Sequence, residues 1–254
     1  MGFPLAAAVA GRLEAVAETG STNADLRAHA SDAVSWPHLS VLVTENQTAG
    51  RGRLDRVWVA PPGSSLAVSV LLRHLPTDAT VRGWIPLIAG AAMSDAVAAQ
   101  LPEHGVSVKW PNDVLVDERK ICGILAEAAG AAVIVGSGVN TRMTADQLPV
   151  PTATSFAVEG ATVDQDRLLA DYLSALRTHL AALVEAGDAV GSGVHATVTA
   201  RCATLGRRVH VSLPGDRLLD GIATGLDVDG RLLVAAGGVE HAIAAGDVVH
   251  ARLA

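Results

Sequence analysis

Two short apolar runs, Leu39–Val43 and Leu66–Leu72, bracket a polar stretch that holds two glycines and three arginines within the seven residues Gly50–Arg56. Apolar runs of this length, bounded by turn residues such as Pro61-Pro62-Gly63, read as buried strands. The stretch between them is therefore a loop hung from a sheet. Glycine lets backbone approach a ligand closely. Arginine offers a planar fork of donors matched to carboxylates and phosphates. Such a loop is expected to be mobile when empty and to order over an anion.

The remaining pattern predicts an α+β chain. Leu13–Val16 reads as a strand, and Ser21 or Thr22 after Gly20 as the N-cap of a helix reaching His29. Trp84, Leu87, Ile88, Ala91 and Ala92 have helical spacing within Val81–Leu101. Val106–Lys109, Val114–Val116, Lys120–Glu127 and Ala132–Asn140 read as strands, the middle pair joined by the charged turn Asp117-Glu118-Arg119. In the last of them, Gly136 and Gly138 imply close backbone approach. Thr162 and Gln165 have capping-box spacing ahead of a helix with Leu169, Leu173, Leu176 and Leu180 on one face. From Thr204 onward short strands recur, with turns at Pro214-Gly215-Asp216 and Asp229-Gly230. They are enough for an SH3-like β-barrel of about fifty residues. The expected division is a domain over 1–200 and a barrel over 201–254.

Composition excludes several classes. Half the residues are hydrophobic and 18% are charged, so the chain has a substantial core. A net charge of −7 argues against nucleic-acid binding, which requires a basic face. Cys122 and Cys202 have no metal-ligand spacing and fit a reducing cytoplasm. Met1–Arg12 lacks a positive n-region and reads as a surface segment, not a signal peptide. No run is long and apolar enough to span a membrane.

Five polar or glycine-marked motifs occur in order. They are Gly20-Ser21-Thr22-Asn23, Gln47 with Gly50-Arg51-Gly52-Arg53, Lys109-Trp110-Pro111-Asn112-Asp113, Lys120 with Gly123-Ile124-Leu125 and Glu127, and Gly136 with Gly138 and Asn140. Taken together they resemble biotin–protein ligase over residues 19 to 141. The resemblance implies a class II synthetase-like catalytic domain, a mixed sheet with packed helices, followed by the small barrel. It also implies that ATP and biotin react to biotinyl-5′-AMP and pyrophosphate, with Mg²⁺. The biotinyl group then passes to a lysine of a biotin carboxyl carrier domain of an acyl-CoA or pyruvate carboxylase.

Carried onto this chain, the resemblance makes Lys120, Arg51 and Arg53 the catalytic cations. Ser21, Thr22, Asn23, Gln47, Gly50, Gly52 and Gly123 join them around biotin. Trp58, Lys109, Asn112, Asp113 and Asn140 are expected at the nucleotide, with Asp113 also a metal ligand, directly or through water. Asp55 departs from the family loop, which often carries glycine there. Lipoate–protein ligase, with the same acyl-adenylate chemistry, is the nearest rival. Some family members carry a helix-turn-helix domain ahead of the ligase; only eighteen residues precede Thr19, so no DNA-binding domain is expected here. A monomer or weak homodimer is expected.

Overall fold

The computed structural model describes residues 2–54, 56–213, 217–244 and 247–250. Asp55 and the expected Pro214–Asp216 turn lie outside the described residues. A seven-stranded sheet carries the larger part of the chain. Its strands are β1 (Arg12–Ala15), β2 (Ser40–Thr44), β5 (Ser65–Leu72), β9 (Ala132–Asn140), β8 (Arg119–Ala129), β7 (Asp113–Val116) and β6 (Val106–Lys109), in that spatial order. Only β1–β2 is parallel; the other neighbours run antiparallel. The minimal ladder β3 (Gly50–Arg51) with β4 (Val57–Trp58) lies outside this sheet.

Strand alternation divides the sheet into two unlike faces. On β5, Leu66, Val68, Val70 and Leu72 enter the main core, beneath α3 (Ile85–Ala98) and α4 (Gln165–Ala186). Leu71 turns the other way and packs with Leu26 of α2 (Thr22–Ala28), Trp36, Leu42 and Ile134. Helix α2 is capped as expected, with the Ser21 hydroxyl accepting from Ala24 N at 3.5 Å.

Three local expectations are corrected. The cap of α4 is Asp164, whose carboxylate accepts from Arg167 N at 3.0 Å, and not Thr162. Gln100 holds Asp164 in place, accepting from its N–H and donating to its carbonyl at 2.9 Å each. The N-terminal segment forms a short helix, α1 (Pro4–Ala7), and is not merely superficial. Phe3 and Ala6 are buried, and Leu5 N and Ala6 N both donate to the Asp166 carboxylate. A further helix, α5 (Val194–Arg201), follows Gly193, in a stretch where no helix was expected.

The C-terminal strands are β10 (Arg208–Leu213), β11 (Arg217–Leu226), β12 (Leu232–Ala236), β13 (Val239–Ile243) and β14 (Asp247–His250). They form an antiparallel sheet in the order β13-β12-β11-β10-β14, consistent with the expected SH3-like module. Two buried indoles grip its Asp227–Arg231 turn. Trp84 Nε1 donates to Val228 O at 2.8 Å, and Trp110 Nε1 to Gly230 O at 3.0 Å. The tryptophan of the Lys-Trp-Pro-Asn-Asp motif is thus a structural anchor. Among the described residues no helix is long and apolar enough to cross a membrane.

Candidate active site

On the sheet face away from α3 and α4, the side chains at the centre are missing or small. Ala67 of β5 lies opposite Gly138 of β9, and Gly138 lies opposite Gly123 of β8. One pair along, Ser69 faces Gly136, which faces Leu125. The result is a trough floored by backbone. A cavity of about 940 Å³, including its open mouth, occupies it. The N-terminus of α2 forms one wall, and residues 51–54 with 56–58 form the roof.

Lys120 reaches this trough through an irregularity. Simple alternation along β8 would put Lys120 on the side of Cys122 and Ile124, in the core. The pairing instead jumps from Val114↔Cys122 to Leu115↔Lys120, leaving Ile121 as an extra residue. Such a bulge turns the strand and re-aims the side chains beyond it. Ile121 and Cys122 both stay in the core, while Lys120 lies over Gly123. A Cβ at position 123 would sit 3.0 Å from Lys120 Nζ. The Lys120 backbone is fixed by Lys120 N donating to Thr152 O and Thr154 N donating to Lys120 O, each at 2.8 Å.

Lys120 Nζ lies 2.6 Å from Asp113 Oδ1, which is opposite Gly123 on β7. The contact is close in distance but outside hydrogen-bond geometry, so this buried oxygen has no hydrogen-bond partner. The Lys120 ammonium compensates its charge, and a carboxylate oxygen with no hydrogen bond of its own at the edge of a cavity can also serve as a ligand for a cation. Cys122, beside Lys120 in sequence, is buried. Burial pushes its thiol up to about 12, against the pull of the Lys120 charge, so it is no nucleophile.

The wall formed by α2 is tied together by polar contacts. Thr22 N and its hydroxyl donate to Gln47 Oε1 at 2.9 and 3.0 Å. Ser69 Oγ donates to Asn23 Oδ1 at 2.6 Å, and Asn23 Nδ2 donates to Glu127 Oε2 at 2.7 Å. The roof is pinned at two points. Arg53 Nη1 donates to Asn112 Oδ1 at 2.8 Å, and Asn112 Nδ2 donates to Ile124 O at 2.9 Å. Arg51 Nη2 lies 3.3 Å from both oxygens of Glu127. The Trp58 indole packs against Gly138, where a Cβ would come within 2.8 Å of its ring.

Of the residues singled out in the sequence, Ser21, Thr22, Asn23, Gln47, Arg51, Gly52, Arg53, Trp58, Asn112, Asp113, Lys120 and Gly123 line this one cavity. Gly50 sits behind it, where a Cβ would strike Trp58 O at 2.5 Å. Lys109 and Asn140 are not in its lining. Lys109 is on β6, and its charge helps lower the pKa of His250, mainly depressed by burial, to about 4. Asn140 is buried and donates to Thr154 O at 2.9 Å, tying the end of β9 to the segment that holds Lys120. Ala67 lay outside the sequence motifs, and Leu125, Gly136 and Gly138 stood in them without being assigned to the site, though all four line the cavity. Period-two alternation in register with Gly123 was the signal that could have found them.

A second cluster, His104, Asp117 and Glu159, has metal-ligating side chains within 4.8 Å of one another. Its oxygens are already engaged. Asp117 accepts from Gly105 N at 2.9 Å and contacts His104 at 2.7 Å, and Glu159 is held by Arg119 and Thr154. The cluster braces the turn that precedes Lys120.

Residues 19–140 match the model of the biotin/lipoate A/B protein ligase family, and residues 204–251 match that of the biotin protein ligase C terminal domain. The fold and the cavity thus have the architecture of a protein ligase for a small acyl group. Over 244 residues the chain is 39% identical to a biotin–[acetyl-CoA-carboxylase] ligase of Mycobacterium tuberculosis, covering 95% of this chain and 90% of that one. A ligase of the same description from Paracoccus denitrificans is 32% identical, over 92% and 98% of the two chains. The solved structure of Aquifex aeolicus biotin protein ligase in complex with biotin and ATP superposes with a TM-score of 0.78 at 26% identity, over 96% of this chain and all of that one. The chain belongs to the biotin protein ligase family.

Proposed function

We propose that this chain activates biotin with ATP and transfers it to a lysine of a biotin carboxyl carrier domain. The observation that carries the reading is the glycine-floored trough with the Lys120 ammonium at its centre and the lid arginines over it. In the first step a biotin carboxylate oxygen attacks the α-phosphorus of ATP. A P–O bond forms, the bond to the β-phosphate bridging oxygen breaks, and pyrophosphate leaves. In the second step the neutral amine of the acceptor lysine attacks the anhydride carbonyl. A C–N bond forms, AMP leaves with the electron pair, and the amine proton passes to solvent.

Both reactants of the first step are anions, so the barrier is lowered by fixed positive charge at the developing phosphorane oxygens. Lys120 supplies it at the reacting atoms. Arg53, held by Asn112, and Arg51 cover the adenylate and keep water from the anhydride. Ser21, Thr22, Asn23 and Gln47 offer the polar groups that orient the ureido ring, and the trough takes its apolar edge. Asp113 suits Mg²⁺, which binds through one or two carboxylates together with substrate phosphates. When bound, the ion would neutralise phosphate charge. The catalytic unit is assigned to 1–200 and the small C-terminal unit to 201–254, with Trp84 and Trp110 joining them.

Pyrophosphate exchange into ATP tests the first step and separates biotin from lipoate. Exchange should depend on biotin and be at least about tenfold slower with lipoate, since polar donors shaped for a ureido ring are left unpaired by a dithiolane. Faster exchange with lipoate would replace this reading by its nearest rival.

A further inference from the structure

Glu127 is charged, largely buried and placed where two side chains of α2 meet one from the lid. Its side chain is only 17% exposed. Arg27 of α2 donates to it at 2.7 Å, Asn23 at the start of α2 donates at 2.7 Å, and Arg51 of the lid approaches both its oxygens at 3.3 Å. It stands on β8 in phase with Gly123 and Leu125, at the outer end of the trough, and with Arg51, Leu54, Arg56 and Val57 it lines a recess beneath the lid. A carboxylate taken this far from water needs compensation, and Arg27 with Asn23 supplies it at short range. Arg51 is the longer and more exposed partner, with half its side chain in solvent. Two guanidiniums around one carboxylate leave a net positive charge, so Glu127 orients Arg51 without cancelling its attraction for an anion.

The same carboxylate also settles the direction of the Asn23 amide. Glu127 accepts only, so it takes the NH₂ and leaves the Asn23 carbonyl oxygen for the Ser69 hydroxyl. Gly136 keeps that amide in place from below, since a Cβ there would lie 2.4 Å from Asn23 Oδ1.

We infer that Glu127 is a positioning residue that couples the lid to the biotin-facing wall, holding Arg51 and Asn23 in the arrangement that retains the adenylate. The inference rests on the function proposed above. Glu127 touches no reacting atom; it acts through Arg51 at the roof and through Asn23 at the wall. Removing its charge unties both while leaving Lys120 and Asp113 in place. Retention of the intermediate should therefore suffer more than its formation.

Glu127→Gln is close in shape and tests this. The rate at which enzyme-bound labelled biotinyl-adenylate is lost, measured after removing free biotin and ATP, should rise about tenfold over the wild type. The rate of its formation at saturating substrate should change by less than about threefold, a split that general loss of folded protein does not produce. In Arg51→Ala the further change Glu127→Gln should raise the loss rate by clearly less than the roughly tenfold it gives in the wild type, because only the Asn23 route is left to lose. Thermal melting identifies any variant that fails to fold, and Glu127→Asp, which keeps the charge but not the reach, then takes its place with a loss rate between the two. Loss at the wild-type rate in Glu127→Gln, or fully independent effects in the double variant, would overturn the inference. Failure of the wild type itself to form an adenylate would instead overturn the proposed function.

Discussion

Replacing Lys120 with alanine is expected to slow biotinyl-adenylate formation by about 10²–10³-fold, the range for deleting one preorganised group at a developing anion. The side chain is 42% exposed and lies over Gly123 beside the Asp113 carboxylate, so its loss opens no core cavity. The variant should fold, and biotin affinity should fall by less than about tenfold because the ureido ring and the trough are untouched. A rapid-quench measurement of adenylate formation, paired with calorimetric binding of biotin, separates the two quantities. An unchanged rate would remove Lys120 from the chemistry. A loss of binding as large as the loss of rate would make it a ground-state contact.

The second large effect concerns the trough floor. A methyl at position 136 would meet Asn23 Oδ1 at 2.4 Å and Cγ at 2.9 Å, and Asn23 is buried and hydrogen-bonded at both ends. Gly136→Ala should therefore force Asn23 out of place. Overpacking of this kind costs about 1–3 kcal/mol. If the whole cost falls on the biotin complex, affinity drops by roughly 5- to 150-fold, since about 1.4 kcal/mol is a factor of ten. Gly138→Ala meets the Trp58 ring at 2.8 Å, but Trp58 belongs to the lid and can lift. It should weaken retention of the adenylate more than binding of biotin. Equal biotin affinity in Gly136→Ala and the wild type would contradict the placement of the ureido ring against Asn23.

Most strands were legible because each has a clear period or boundary. Val106–Lys109 alternates, the Asp117–Arg119 turn separates β7 from β8, and Asp229-Gly230 joins β11 to β12. Much of the cavity was legible too, because its glycines, lysines and arginines sit in ordered motifs. What was not legible depends on tertiary partners. Asp164 caps α4 because Gln100, 64 residues away in sequence, holds it there. Helix α5 buries only Val194 and Val198, too sparse a stripe to stand out beside Gly191 and Gly193. The N-terminal segment is anchored by Asp166, whose carboxylate accepts from two of its backbone amides.

The bulge at Ile121 is the most consequential case. Strict alternation aims Lys120 into the core, and nothing local in Lys120-Ile121-Cys122-Gly123 announces the extra residue. Lys109 and Asn140 illustrate the reverse. They belong to motifs that resemble a nucleotide site, yet neither lines the cavity, and Asn140 ties the end of β9 to the segment that holds Lys120. A motif names residues that occur together, whereas the direction in which each side chain points is set by pairing register and by what lies behind it.

The central claim is that one cavity both makes the adenylate and delivers it to a protein lysine. Its most direct test is mass measurement of a purified biotin carboxyl carrier domain incubated with this chain, biotin, ATP and Mg²⁺, with a lysine-to-arginine acceptor as control. The account predicts one biotinyl group per wild-type acceptor, one AMP released for each, and no modification of the control. An acceptor that remains unmodified while ATP and biotin are present in excess would contradict it.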